Sequence, residues 1–222
     1  MSGKTTWYVS IKRWGLGTLT SSEGVYDGEW VQDLKHGNGR QILGQKQYSG
    51  GFRQGKYEGF GVLVDEEGGI YEGDWKMGLQ NGMGHWHSPE GTVYRGEFLD
   101  GEFHGQGQLI LSNGETYVGH FQKGKKHGLG EYFYEDGEIY KGMFYDDNKH
   151  GRGTIIKEDG SEITAVFKRG EVSLGSCCVD YKDGKKYQGA LDKQLRPHGK
   201  GVMTLKSGSI IPSFWEHGDQ KV

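Results

Sequence analysis

Cysteine, proline and long apolar runs are scarce in this chain. Its 222 residues hold two cysteines, Cys177 and Cys178, side by side, and no Asn-x-Ser/Thr site. That excludes a disulfide-stapled scaffold and predicts a reducing, cytoplasmic setting. No stretch approaches the roughly 18 apolar residues of a membrane-spanning helix. The opening MSGKTTWYVSIKRW lacks the apolar core of a signal peptide, and Ser2 stands where the simplest myristoylation signal has glycine. A net charge of −3 gives no reason to expect nucleic acid as a partner. Three prolines exclude a collagen-like chain.

Glycine and aromatic residues are abundant instead. There are 42 glycines, with 13 Tyr, 9 Phe and 6 Trp, against an ordinary glycine share of roughly 7%. Such a chain is not mostly helix, and the aromatic excess predicts β-structure. The aromatics are periodic: Tyr26, Tyr48, Tyr71, Tyr94, Tyr117 and Tyr140 recur at intervals of 22 or 23, followed by weaker copies at Ile163, Tyr187 and Ile211. Six copies keep Tyr-x-Gly-x-(Trp/Phe), and a Gly-x-Gly starts seven places after the second aromatic. A fixed period of this length belongs to a stacked array, so the fold is read per repeat.

Alternate residues of a strand share a face. Tyr94, Gly96 and Phe98 therefore point one way, with glycine leaving room for rings to lie over the backbone. A second strand starts at the Gly-x-Gly, and its positions Leu63, Trp86, Leu109, Tyr132, Ile155 and Met203 extend the same apolar face, the candidate core. Asn-Gly and Asp-Gly pairs in LDGEFHG (99–105) and SNGET (112–116) suit tight turns, so each repeat is expected to be one β-hairpin. A lone hairpin is marginal in water, so hairpins must stack edge to edge behind atypical ends. The expected fold is all-β: an elongated, twisted, single-layer antiparallel sheet of stacked hairpins. It divides into an N-terminal partial repeat or cap (1–25), six well-formed repeats (26–162), and degenerate repeats with a C-terminal cap (163–222).

Tyr-x-Gly-x-Trp/Phe followed by His-Gly-x-Gly every 23 residues resembles the MORN (membrane occupation and recognition nexus) repeat. The resemblance runs from about Gly15 to Trp215. It weakens after residue 160, where Ala165 and Ser213 replace the first glycine, EVSLGSCC replaces the His-Gly-x-Gly and Leu191 replaces the second aromatic. The resemblance implies a protein-binding scaffold in a cytoskeletal or ciliary assembly, such as an axonemal radial-spoke head, that receives a partner's helix or extended segment in a groove. It also implies, as the alternative, a phospholipid-binding linker between membrane and cytoskeleton. Catalytic domains that accompany such repeats elsewhere are not expected here, because the repeats take up almost all of the 222 residues.

Nothing else in the sequence points to catalysis, a cofactor or a metal. His36, His104, His127, His150 and His198 precede the Gly-x-Gly, but equivalent positions of stacked hairpins lie ~9.5 Å apart, too far to share a metal with bonds near 2 Å. They are expected to cap the turn into the second strand through side-chain hydrogen bonds. His85 and His87 share a face without a third ligand. GGFRQGKY (50–57) and GHFQKGKK (119–126) contain Gly-x4-Gly-Lys but lack the Ser or Thr and the helix of a phosphate loop.

Two surfaces remain as candidates. Ile42, Val64, Ile110, Phe133 and Ile156 form an apolar line opposite the core face, covered either by the sheet's own curvature or by a partner. The run IIPSFW (210–215), with Phe214 and Trp215, is either a cap or a docking edge, and exposed edges allow self-association. Residues 165–222 carry ten Lys and Arg against six Asp and Glu, while residues 1–164 carry 17 against 24. Lys123, Lys125 and Lys126 are the cations that would meet anionic lipid, at roughly 1 kcal/mol per well-placed charge.

Overall fold

A computed structural model describes residues 12–173 and 177–221. The first eleven residues of the expected N-terminal cap and Leu174–Ser176 of the EVSLGSCC segment lie outside the described residues. Contacts divide the chain into two units: one ends at Pro89 and includes Leu99–Gly101, and the other comprises Glu90–Phe98 and the chain from Glu102.

All secondary structure among the described residues is β. The first unit holds β1 (Gly15–Ser21), β2 (Gly24–Val31), β3 (Leu34–Leu43), β4 (Lys46–Arg53), β5 (Lys56–Val64), β6 (Ile70–Lys76) and β7 (Leu79–His87). The second holds β8 (Val93–Leu99), β9 (Glu102–Ile110), β10 (Thr116–Gln122), β11 (Lys125–Phe133), β12 (Ile139–Tyr145), β13 (Asn148–Ile156) and β14 (Glu162–Lys168). It continues with β15 (Glu171–Val172), β16 (Cys177–Asp180), β17 (Lys186–Leu191), β18 (Pro197–Thr204), β19 (Ile210–Glu216) and β20 (Asp219–Lys221). Neighbours in sequence pair antiparallel from β1 to β7 and from β9 to β14. β14 then takes both β15 and β16, and pairing continues to β20. This is the antiparallel hairpin array that the period predicts.

Each hairpin is built around its tyrosine. The rings of Tyr48, Tyr71, Tyr94, Tyr117 and Tyr140 are buried, each lying over the two glycines that face one another across its hairpin. A Cβ on Gly119 would come within 2.5 Å of Tyr117 Oη, and one on Gly130 within 2.5 Å of the same ring. The phenol donates to the carbonyl three residues on: Tyr94 to Glu97 at 2.9 Å, Tyr117 to His120 at 2.9 Å, Tyr140 to Met143 at 2.9 Å. One residue type thus fills the core, occupies the glycine gap and satisfies a backbone acceptor.

Second aromatics join these tyrosines edge-on. Trp30, Tyr26, Phe52, Tyr48, Trp75 and Tyr71 alternate in the first unit with centroids 4.9–5.4 Å apart. Phe98, Tyr94, Phe121, Tyr117, Phe144, Tyr140 and Phe167 do so in the second at 4.9–5.3 Å. Such T-shaped pairs contribute about 0.5–1.5 kcal/mol each beyond area burial. The residue two places before the first glycine of the Gly-x-Gly covers the tyrosine's other side. Tyr57 and Phe103 stack on Tyr48 and Tyr94 at 3.7 Å, whereas Lys149 sets its ammonium 5.0 Å from the Tyr140 ring.

The turns are of two kinds. At one end a two-residue tip puts both residues in the left-handed region, as at Asp100 (φ 51°) and Gly101 (φ 89°), the I′ geometry that suits strand twist. The tip amide then donates to the preceding hairpin: Gly124 N to Phe103 O at 3.0 Å, Gly170 N to Lys149 O at 2.9 Å. At the other end five-residue turns such as Leu111–Glu115 close with Leu111 N donating to Glu115 O at 2.8 Å and Gly114 N to Leu111 O at 2.9 Å.

Candidate functional site

The two glycines of each Gly-x-Gly differ in role. The second lies beneath the tyrosine, while the first has left-handed backbone, φ 54° at Gly105 and 61° at Gly128. It forms a bulge where the register shifts, between Gly119 and Phe121 opposite it in the β10–β11 pair. The residue between the glycines faces away from the rings and is exposed: Phe60 at 60%, Met83 at 60%, Leu129 at 70%, with Asn38, Gln106, Arg152 and Lys200 in the other copies.

In the second unit this row forms a shallow trough. Met143 lies opposite Leu129, Val166 opposite Arg152, and Phe214 opposite Lys200. Val118, Met143 and Val166 are themselves exposed. Val118 and Met143, with Leu129 and Arg152, border a depression of about 790 Å³ that runs across β9 to β13 from Gln106 to Thr154, floored by Gly119, Gly130, Gly142 and Gly153. Glu131 and Lys141 pair on its flank at 3.2 Å.

The bulge leaves the amide of the middle residue pointing away from the strand ladder, and in three copies a carboxylate accepts it. Glu29 takes Asn38 N at 2.8 Å, Asp74 takes Met83 N at 3.1 Å and Glu97 takes Gln106 N at 2.8 Å. The same position is His120 opposite the Gly128 bulge and Met143 opposite the Gly151 bulge. His120 Nδ1 is buried with no hydrogen-bond partner.

The expected apolar line occupies the predicted face but is only half-buried at Ile42, Val64, Ile110, Phe133 and Ile156. Its members pack beside cross-strand neighbours, as Phe133 does beside Thr116 and Ile139. Among the core candidates Tyr132, Ile155 and Met203 are buried, while Leu63, Trp86 and Leu109 are half-buried. Phe214 and Trp215 separate: Trp215 is buried with its ring 5.3 Å from that of Tyr187, and Phe214 is exposed beside Pro212 and Val202. The three lysines separate too. Lys123 sits at a tip with φ 52°, and Lys125 pairs with Asp146 at 3.8 Å. Lys126 turns to the ring face, its ammonium 4.6 Å from the Tyr132 ring and held below the usual lysine range by burial.

The histidine expectation is corrected in most copies. His198 accepts the amide of His217 at 3.4 Å through its side chain, but His36, His104 and His127 contribute main-chain carbonyls, which take a second contact from the phenols of Tyr26, Tyr94 and Tyr117 at 3.3–3.5 Å. Among the described residues no three His, Cys, Asp or Glu side chains gather as a metal site would require. Both Gly-x4-Gly-Lys segments are strand, tip and strand. The exposed middle residues Phe60, Met83 and Leu129 were not singled out by the sequence. Their signal was present, since a bulky apolar residue between two obligatory glycines has no place in a core.

The MORN repeat family model matches residues 26–43, 48–70, 71–93, 94–116, 117–139, 140–162 and 196–210, more than half of the chain. A comparison with curated proteins finds no match. Among solved structures, the chain is similar to the TCP domain of SAS-4 (dCPAP) from Drosophila melanogaster, in complex with a proline-rich motif of Ana2 (dSTIL). Identity is 12% over 86% of this chain and 96% of that one, with a TM-score of 0.47. It is also similar to the wild-type TCP10 domain of Danio rerio CPAP, with 14% identity over 90% of this chain and 100% of that one and a TM-score of 0.43. At these scores the likeness says nothing of this chain's activity.

Proposed function

The chain belongs to the MORN repeat family, and from that premise we propose that it is a non-enzymatic scaffold that binds partner proteins along the face opposite its aromatic ladder. The observation that carries this is the exposed row between the paired glycines. Leu129, at 70% exposure, lies with Val118 and Met143 around a trough with a glycine floor. Apolar side chains gathered in an open depression mark an interaction surface. They are also dispensable for folding, because the tyrosine side supplies the buried core.

The partners on this reading are helical or extended segments of cytoskeletal or ciliary proteins, the setting in which MORN arrays often serve. The lipid-linker reading is less favoured, because Lys125 is paired and Lys126 is turned to the rings. The test is proximity labelling in the native cell with wild type and Leu129→Asp, both first checked for folding by circular dichroism. Recovery of discrete cytoskeletal or axonemal proteins by wild type alone supports the scaffold. Recovery of membrane components alone, equal in both proteins and weakened by salt, would replace it with the lipid reading.

A further inference from the structure

The trough in the second unit contrasts a completed bulge with two incomplete ones. At Gly105 the amide of Gln106 donates to Glu97 at 2.8 Å. At Gly128 and Gly151 the backbone has the same left-handed turn, φ 61° and 62°, but the residues in the place of Glu97 are His120 and Met143. His120 Nδ1 is buried and unpartnered, and a thioether is a weak acceptor. Next to the second bulge the side chain of Arg152 is exposed and, among the described residues, makes no ion pair, while the nearby Glu131 is held by Lys141 at 3.2 Å. The site therefore combines donors and a cation with an apolar border, and among the described residues no carboxylate reaches them.

The spacing of the two places narrows the ligand. The amides of Leu129 and Arg152 sit in equivalent positions of β11 and β13, two strands apart, which is ~9.5 Å across the sheet. A polyproline II segment advances ~3.1 Å per residue and presents the same side every third residue, hence every ~9.3 Å. A fully extended strand repeats its side at about 6.6 Å and falls out of step.

Building on the scaffold reading, we propose that the trough over β10 to β13 binds an extended protein segment in the polyproline II conformation that carries acidic residues three apart between apolar ones. Its carboxylates take the places at the amides of Leu129 and Arg152 that Glu97 fills at Gln106, the second also meeting the Arg152 guanidinium. Its apolar residues lie against Val118, Leu129 and Met143.

The test uses the full chain and fluorescein-labelled twelve-residue peptides of Pro and Leu containing two Glu three apart, two Gln three apart, or two Glu two apart, titrated by fluorescence anisotropy. The peptide with Glu three apart is expected to bind at least ~10-fold tighter than either other. Met143→Glu, which installs the carboxylate the fold already accepts in other copies, is expected to weaken that binding at least ~10-fold without lowering the unfolding temperature. If the Glu and Gln peptides bind alike and Leu129→Asp weakens both, the carboxylate inference is overturned while the binding face stands. If wild type binds no peptide while Leu129→Asp still loses its cellular partners, the ligand class proposed here is wrong. If Leu129→Asp changes neither binding nor partners, the scaffold reading of this face fails as well.

Discussion

The copies led by Tyr117 and Tyr140 and those led by Ile163 and Ile211 use one backbone plan with different contents. In the tyrosine copies the residue two places on is Gly119 or Gly142, where a Cβ would lie 2.5 Å from the phenol oxygen. In the isoleucine copies that residue is Ala165 or Ser213, still in register opposite Gly153 and Gly201. The glycine is thus demanded by the ring above it and not by the strand, and the two positions vary as a pair. Where no ring reaches across, a side chain fills the gap: Ala165 is itself buried.

Alkaline pH offers the largest way to break this comparison. Burial raises the phenols of Tyr94 and Tyr117 and pushes Tyr140 up to about 12. The unfolded chain loses these protons near pH 10 while the folded chain keeps them, so their contribution is complete below that pH and is lost as pH rises through the folded values. Urea unfolding followed at rising pH should show a steep loss of stability above pH ~10, with hydrogen exchange around Tyr117 and Tyr140 accelerating before that around Ile163. Simultaneous acceleration at all three would argue that the tyrosines titrate only after global unfolding.

Gly119→Ala comes next, at about 3 kcal/mol or more, because its Cβ meets both a buried ring and the backbone of Gly130 and so overpacks the core. Ala165→Gly should cost only about 0.5–1 kcal/mol. Equal losses in chemical denaturation would mean that the ring is not the cause. The pairing itself is read by a double-mutant cycle of Tyr117→Ile with Gly119→Ala, where relief of the clash should appear as a favourable coupling of about 1–3 kcal/mol. Additive losses would break the link. The smallest effect is Tyr117→Phe, which removes the bond to the His120 carbonyl at 2.9 Å and keeps the ring. Its unfolding free energy should fall by about 1 kcal/mol, and an unchanged value would mean that water replaces the phenol.

The hairpin array was legible because tyrosine, glycine and second aromatic recur with a two-residue alternation that only a strand presents to one face. The face proposed for binding was less legible. The line through Phe133 and Ile156 has the right parity, but cross-strand neighbours at the five-residue-turn end half cover it. Leu129 lies between Gly128 and Gly130, beside a bulge, where no adjacent side chain hides it. The two glycines look alike in sequence, yet one serves a ring and the other a bulge, so the special place of the residue between them appears only once the backbone conformation is known. Lys126 is a related case: it follows a charged tip, but its place in the period is the one that Phe103 fills by stacking, and its stem and ammonium lie over the rings in the same way.

Because neighbouring strands in each unit pair soon after they leave one another, as Gly15 does with Trp30 in the first and Gly128 with Phe144 in the second, this β-protein has a low contact order for its class. Loop closure therefore costs little at each step, and folding can proceed as a zipper that starts at any sound hairpin and spreads to the next. The same economy acts on an evolutionary timescale. Duplication or loss of a 23-residue unit inserts or removes one rung without rethreading the others, so the length of the array can drift to match whatever spans it, while each rung's exposed middle residue is free to change independently.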